Sequence, residues 1–187
     1  MAIDFSQVKT ITIPEGSVTK ITDSTGNILW QGVGWHTIWE GNKTCSAKAI
    51  GRVTPIISGD ENNFTQTAIG TGYTPKIRIT FSYSINNKNS KWDDRFYIND
   101  VRDTIFPTSP LIIDQVENTS NNKLCGPGLR YYSGTGPDAH VVLSSDKDAE
   151  NNRIILSLKA VVSDRITAGY DPNFTITLTV TKIEQYY

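Results

Sequence analysis

The feature that most constrains this chain is a hydrophobic period of two, with almost no sustained period of 3.6. Between Lys76 and Ile85, apolar Ile77, Ile79, Phe81, Tyr83 and Ile85 alternate with Lys76, Arg78, Thr80, Ser82 and Ser84. Successive side chains of an extended chain point to opposite sides, so the segment predicts a strand with one buried face. Near the end, Phe174, Ile176, Leu178 and Val180 alternate with Thr175, Thr177, Thr179 and Thr181, and β-branched threonine suits an exposed sheet face. Arg153 to Ser163 is more uniformly apolar. Even there Ile154, Leu156, Leu158, Ala160 and Val162 alternate with Ile155, Ser157, Lys159 and Val161, and the β-branched content favours a central strand over a helix.

Shorter strands are predicted at Val8 to Ile13, Val18 to Thr22, Asn27 to Gln31, Trp35 to Glu40, Thr44 to Ile50, Val53 to Ile57, Phe64 to Ile69, Arg95 to Ile98, Leu111 to Val116 and His140 to Ser144. Turn residues separate them: Pro14-Glu15-Gly16, Ser24-Thr25-Gly26-Asn27, Gly41-Asn42 and Ser58-Gly59-Asp60. Many short strands punctuated in this way predict an all-β fold, an antiparallel β-sandwich of jelly-roll-like character.

A chain of 187 residues is long enough for one core without disulfide or metal staples. Eighteen basic against nineteen acidic side chains leave a net charge of −1, which argues against nucleic acid as a partner, because phosphate binding draws on clustered Lys and Arg. No apolar stretch reaches the length of a membrane span, and Met1-Ala2-Ile3-Asp4-Phe5-Ser6 has no basic segment leading into an apolar one. A soluble protein made in a cytosol is therefore expected, with no membrane partner. In that setting Cys45 and Cys125 read as reduced, buried thiols, and the sequons at Asn42, Asn63, Asn118 and Asn173 carry no weight.

Gln31-Gly32-Val33-Gly34 interrupts the pattern between two tryptophan-flanked segments and reads as a hinge. It divides the chain into a small β module, residues 1–33, and a sandwich, residues 34–187. A module of two or three short strands is marginal in water by itself, so it must dock on something: its own sandwich, a neighbouring copy or a partner. Trp30, Gly32, Gly34 and Trp35 are the residues expected at this attachment hinge, with Trp39 packing nearby.

Asn86 to Asp94 and Glu117 to Pro137 read as long loops, the second carrying Gly126-Pro127-Gly128 and an aromatic island, Leu129-Arg130-Tyr131-Tyr132. Exposed loop aromatics can stack on sugar rings or anchor an interface, which nominates Trp92, Tyr131, Tyr132 and Tyr170; the plainer alternative is that they plug the ends of the sandwich. Catalytic signals are absent. The histidines, His36 and His140, sit in strand-like surroundings without a second ligand at a recognisable spacing and read as structural. No nucleophile elbow, zinc-protease helix or phosphate loop occurs, so no catalytic, metal or cofactor residue is assigned. Asp146, Asp148 and Glu150 imitate the start of a calcium loop, but Asn151 stands where Gly is needed and Ser157 where Glu is needed, which favours a solvated hairpin tip.

The run from Val8 to Trp30, with Lys20-Ile21-Thr22-Asp23 followed by Gly26-Asn27 and Trp30, resembles an amino-terminal segment that recurs in structural proteins of bacteriophages of gut bacteria. The ending from Ile176 to Tyr187 is similar to the carboxyl ends of such proteins, and Trp35-His36-Thr37-Ile38-Trp39-Glu40-Gly41 to their mid-chain junctions. The resemblance covers the first forty residues and the last dozen. It implies a non-enzymatic virion protein of decoration or fibre type, attached to the capsid, neck or tail through residues 1–33, homo-oligomeric and often trimeric, and displaying its sandwich on the particle. Two further readings stand beside it. The sandwich could bind host-surface carbohydrate through Trp92, Tyr131 and Tyr132, or cleave glycans with an acid pair such as Asp93 and Asp100.

Overall fold

A computed structural model describes residues 11–13, 16–18, 20–24, 28–51, 56–59, 63–68, 75–86, 88–116, 119, 121–132, 138–150, 153–163, 166 and 172–186. The expected all-β architecture is what it shows. Two antiparallel sheets pack face to face, with their apolar faces forming one core. Among the described residues no helix is long and apolar enough to cross a membrane.

The five-stranded sheet is built around β5 (Trp35–Ile50), β8 (Lys76–Asn86) and β15 (Asn173–Tyr186), with short β6 (Ile56–Gly59) and β11 (Leu111–Ile113) at its edges in the order β11-β8-β15-β5-β6. The six-stranded sheet runs β10-β9-β12-β13-β14-β7, from β7 (Asn63–Ala68), β9 (Trp92–Ile98), β10 (Val101–Asp103), β12 (Asn122–Tyr131), β13 (Asp138–Asp148) and β14 (Arg153–Val162). The chain crosses between layers after β6, β7, β8, β10, β11 and β14, as in a jelly roll, while β12, β13 and β14 form a meander within one sheet. Before the sandwich lie two hairpins that form their own two-stranded sheets: β1 (Ile11–Ile13) with β2 (Gly16–Val18), and β3 (Lys20–Thr22) with β4 (Ile28–Gln31).

The period-two faces fall as the pattern requires. Ile77, Ile79 and Phe81 of β8, Phe174, Ile176, Leu178 and Val180 of β15, and Ile154, Leu156, Leu158 and Ala160 of β14 are all buried in the core. Cys45 and Cys125 are buried and not joined in a disulfide, and burial pushes the Cys125 thiol up to about 12. The acidic stretch Asp146 to Glu150 closes the β13–β14 hairpin, with Asp148 opposite Arg153. Among the described residues no group of acidic, His or Cys side chains is placed to hold a metal ion.

Two expected breaks are not there. Gly41-Asn42 is no turn: β5 runs straight through it, and both residues face the single Thr181 of β15, because the pairing steps from Val180↔Lys43 to Lys182↔Glu40. An extra residue in one strand of a pair makes a bulge, which twists the ladder without ending it. Nor is Glu117 to Pro137 one loop. Its middle is β12, a central strand paired with β9 on one side and β13 on the other. Gly126 explains how such a sequence can be central. A Cβ there would lie 2.2 Å from the Val141 carbonyl oxygen and 2.7 Å from Val142 Cα, and the residue has φ +155°. Glycine is therefore what allows β12 to approach β13 this closely.

Candidate functional site

Polar and aromatic side chains gather at three places: the hinge corner, the aromatic end and the outer face of the six-stranded sheet.

At the hinge corner, Gln31 ends β4 and Trp35 opens β5. His36 Nε2 donates to the Gly32 carbonyl at 2.6 Å, tying the linker to the first residues of the sandwich. Trp35 pairs with Tyr186 across β5 and β15, their rings edge to face at 5.4 Å, and the Arg78 guanidinium lies 4.6 Å from the Trp35 ring centre. The same guanidinium donates through Nε and Nη2 to both carboxylate oxygens of Glu184, at 2.7 and 2.9 Å. Lys182 Nζ adds a contact at 3.0 Å. The bidentate bond from Arg78 holds the Glu184 carboxyl down to about 2 and raises Arg78 in turn. Trp35 thus packs on the outer face of the five-stranded sheet, and Trp39 is half-buried against the core. Trp30 lies in β4, while Gly32 and Gly34 lie in the linker.

At the aromatic end the structure corrects the expectation for Trp92. It is 1% exposed, the first residue of β9 rather than part of a loop, with its ring 5.4 Å from both Tyr131 and Phe174. A side chain enclosed on all sides cannot stack on a sugar from solution. The register places Trp92 opposite Tyr131 at the end of the sheet, where it closes the core, and its Nε1 has no hydrogen-bond partner. Tyr131 is half-buried against that core and Tyr132, 5.3 Å away, is 63% exposed. Tyr170 lies outside the described residues.

The proposed acid pair is also corrected. Asp93 and Asp100 lie at opposite ends of β9, roughly 20 Å apart at ~3.3 Å per residue, beyond the span of two carboxylates acting on one glycosidic bond. Each has its own cation: Arg95 at 3.3 Å for Asp93 and Lys123 at 3.0 Å for Asp100. Asn99 and Asp100 both have positive φ, 47° and 63°, and form the two-residue turn of the β9–β10 hairpin.

The outer face of the six-stranded sheet holds the feature that sequence reading missed. His140, Val142 and Ser144 alternate on β13 with the core residues Ala139, Val141 and Leu143, so they face outward, yet they are 6%, 1% and 2% exposed. Side chains from the flanking strands rise around them and leave a cleft of about 260 Å³. Lys123 of β12 and Lys159 and Val161 of β14 form its walls, and Asn121 closes one end. Both ammonium groups are committed: Lys123 to Asp100 at 3.0 Å, Lys159 to Asp146 at 2.5 Å and to Asn121 Oδ1 at 2.9 Å. Ser144 and Ser157 share a hydroxyl contact of 3.2 Å beneath. Tyr97 lies across β12, where Gly128 leaves room for it: a Cβ there would come within 2.8 Å of its ring. Its ring sits 5.0 Å from that of His140, and its hydroxyl donates to Asp138 at 3.3 Å. Burial, with the Asp138 charge beside it, pushes the Tyr97 phenol up to about 12. Burial likewise lowers His140 to about 4, so its imidazole is neutral at physiological pH, and Nδ1 is buried without a hydrogen-bond partner. A period-two reading marks His140, Val142 and Ser144 as one face of a strand. The cleft is made only when β12 and β14 flank them.

No protein-family model matches the chain, and neither a curated protein nor a solved structure similar to it is found.

Proposed function

We propose that this chain is a non-enzymatic structural protein of a bacteriophage particle, fastened through its amino-terminal hairpins to a capsid, neck or tail protein and displaying the sandwich outward. The observation that carries the reading is the separation of roles along the chain. The described amino-terminal strands pair only with each other, while the sandwich completes both its sheets with strands from Trp35 onward. A sandwich whose two sheets take no strand from the described residues before Trp35 is compatible with those residues binding elsewhere, and hairpins so short gain most of their stability from what they dock on. The resemblance of residues 8–30 and 176–187 to phage virion proteins supplies the particle, and with it the expectation of a homo-oligomer, commonly a trimer. Asp93 and Asp100, one example of an acid pair, lie too far apart to act on one glycosidic bond, which counts against that pair as a depolymerase centre.

Complementation of a phage lacking the gene tests this. The full chain should be incorporated into particles and labelled on their surface by antibody. A chain beginning at Gly34 should fold and be left out. Incorporation of the shortened chain at the normal level would overturn the attachment role.

A further inference from the structure

We propose that the cleft over His140 is a binding site for one neutral, polyhydroxylated ring, the chemistry of a single uncharged sugar unit. This site is distinct from the aromatic end and stands or falls independently of the virion reading. Four observations converge on that class of ligand.

The first is size. A hollow of about 260 Å³ falls just below the range typical of drug-sized ligands, which leaves room for one small ring and not for an extended peptide or a nucleotide. The second is charge. An anionic ligand needs an uncommitted cation, and here each ammonium is already matched by a carboxylate, Lys123 by Asp100 and Lys159 by Asp146. The imidazole between them adds no positive charge at physiological pH. The third is the alternation of surfaces. Val161 on the wall, 44% exposed, offers an apolar stripe to the C–H face of a ring, and Val142, 1% exposed, closes the floor beneath it. Asn121 and the lysine ammonium groups ring that stripe with polar atoms suited to hydroxyls. The fourth is His140 itself, more than nine-tenths buried, lining the cleft, with an Nδ1 that no group among the described residues satisfies. Buried polar side chains are almost always hydrogen-bonded, so an imidazole left incomplete on the floor of a hollow has bonding capacity that a hydroxyl ligand can take up after a small rotation of the ring.

The experiment uses the full chain, isotopically labelled, titrated in separate runs with the methyl glycosides of glucose, galactose, mannose and N-acetylglucosamine, with glucuronate as the charged arm. At least one neutral glycoside should shift the resonances of His140, Val142, Ser144 and Val161 in a saturable way with millimolar affinity, and leave those of Tyr131 and Tyr132 unmoved. Val161→Trp fills the cleft from its exposed wall and should weaken that binding at least tenfold. The wild-type titration decides the matter even if the variant fails to fold. Absence of shifts with every neutral glycoside, shifts mapping away from the cleft, tighter binding of glucuronate, or unchanged binding by a folded Val161→Trp protein would each overturn the proposal.

Discussion

The outer faces of the two sheets both carry charged side chains matched by opposite charges, and they differ in what is left over. On the five-stranded sheet, Arg78, Glu184, Lys182, Trp35 and Tyr186 form a patch whose members complete one another: two carboxylate oxygens meet two guanidinium nitrogens, and the guanidinium lies on an indole. On the six-stranded sheet, the lysines complete their carboxylates but His140 is left over, buried and unpaired at the floor of a hollow. Fully satisfied polar groups on a sheet hold a structure together, whereas an unsatisfied one costs stability and persists where something else compensates for it. The contrast separates a fastening corner from a receptive face.

The largest effect expected on this contrast comes from closing the gap beneath the receptive face. Gly126→Val would set side-chain atoms against the Val141 and Val142 backbone at a positive φ, costing about 4 kcal/mol or more, so most of the protein should be unfolded or insoluble. A melting temperature within a few degrees of wild type would show that β12 and β13 can separate cheaply.

Next come two pH windows, one for each face. His140 has a folded value lowered from 6.5 to about 4, so the unfolded chain binds its proton first as pH falls. Stability from this group is complete above about 6.5, is lost between there and about 4, and is flat below, with a loss of at most about 3 kcal/mol. His140→Leu should abolish that step. At pH 7 it should raise stability by about 1 kcal/mol, because it removes an unpaired buried polar atom. Urea titrations at closely spaced pH values measure both, and a destabilised His140→Leu protein at pH 7 would mean that the imidazole is better satisfied than its geometry indicates.

Glu184 titrates in a lower window. Its folded value is depressed from 4.5 to about 2, so its contribution is present above about 4.5 and disappears as pH falls towards 2. Glu184→Gln should flatten that acid limb, leave the His140 step untouched, and lower the melting temperature at pH 7 by about 4 °C. The smallest change is expected from Trp35→Leu, which removes an edge-to-face pair and should lower the melting temperature by about 3 °C. If instead it lowers the melting temperature more than Glu184→Gln does, the corner is held mainly by its aromatic rings.

What was legible in the sequence was whatever a single strand states about itself. The faces of β8, β14 and β15 follow from alternation, because burying one side of an extended chain demands it. What was not legible arises between strands. Gly126-Pro127-Gly128 has the composition of a loop, and nothing local says that β13 and Tyr97 press so close that only small residues fit. Trp92 follows a polar stretch and looked exposed, but the turn ends one residue before it, with Trp92 N donating to the Asn89 carbonyl at 3.2 Å, and the register then carries its ring inward. Gly41-Asn42 has turn chemistry that β15 absorbs as a bulge. His140 reads from the sequence as a structural histidine in strand-like surroundings, and it lies in β13. Its place in a cleft depends on β12, which ends at Tyr131, and β14, which begins at Arg153, both outside its own strand.

The pairing of Trp35 with Tyr186 brings the first residue of β5 and the last of β15 to the same corner. A pull that drew these two residues apart would load the antiparallel ladder from its end, so its bonds would peel one after another rather than resist together. The edge-to-face contact of Trp35 with Tyr186 and the Arg78 guanidinium over the Trp35 ring sit where that peeling would begin, so the first contacts to part would be between side chains and not between backbones.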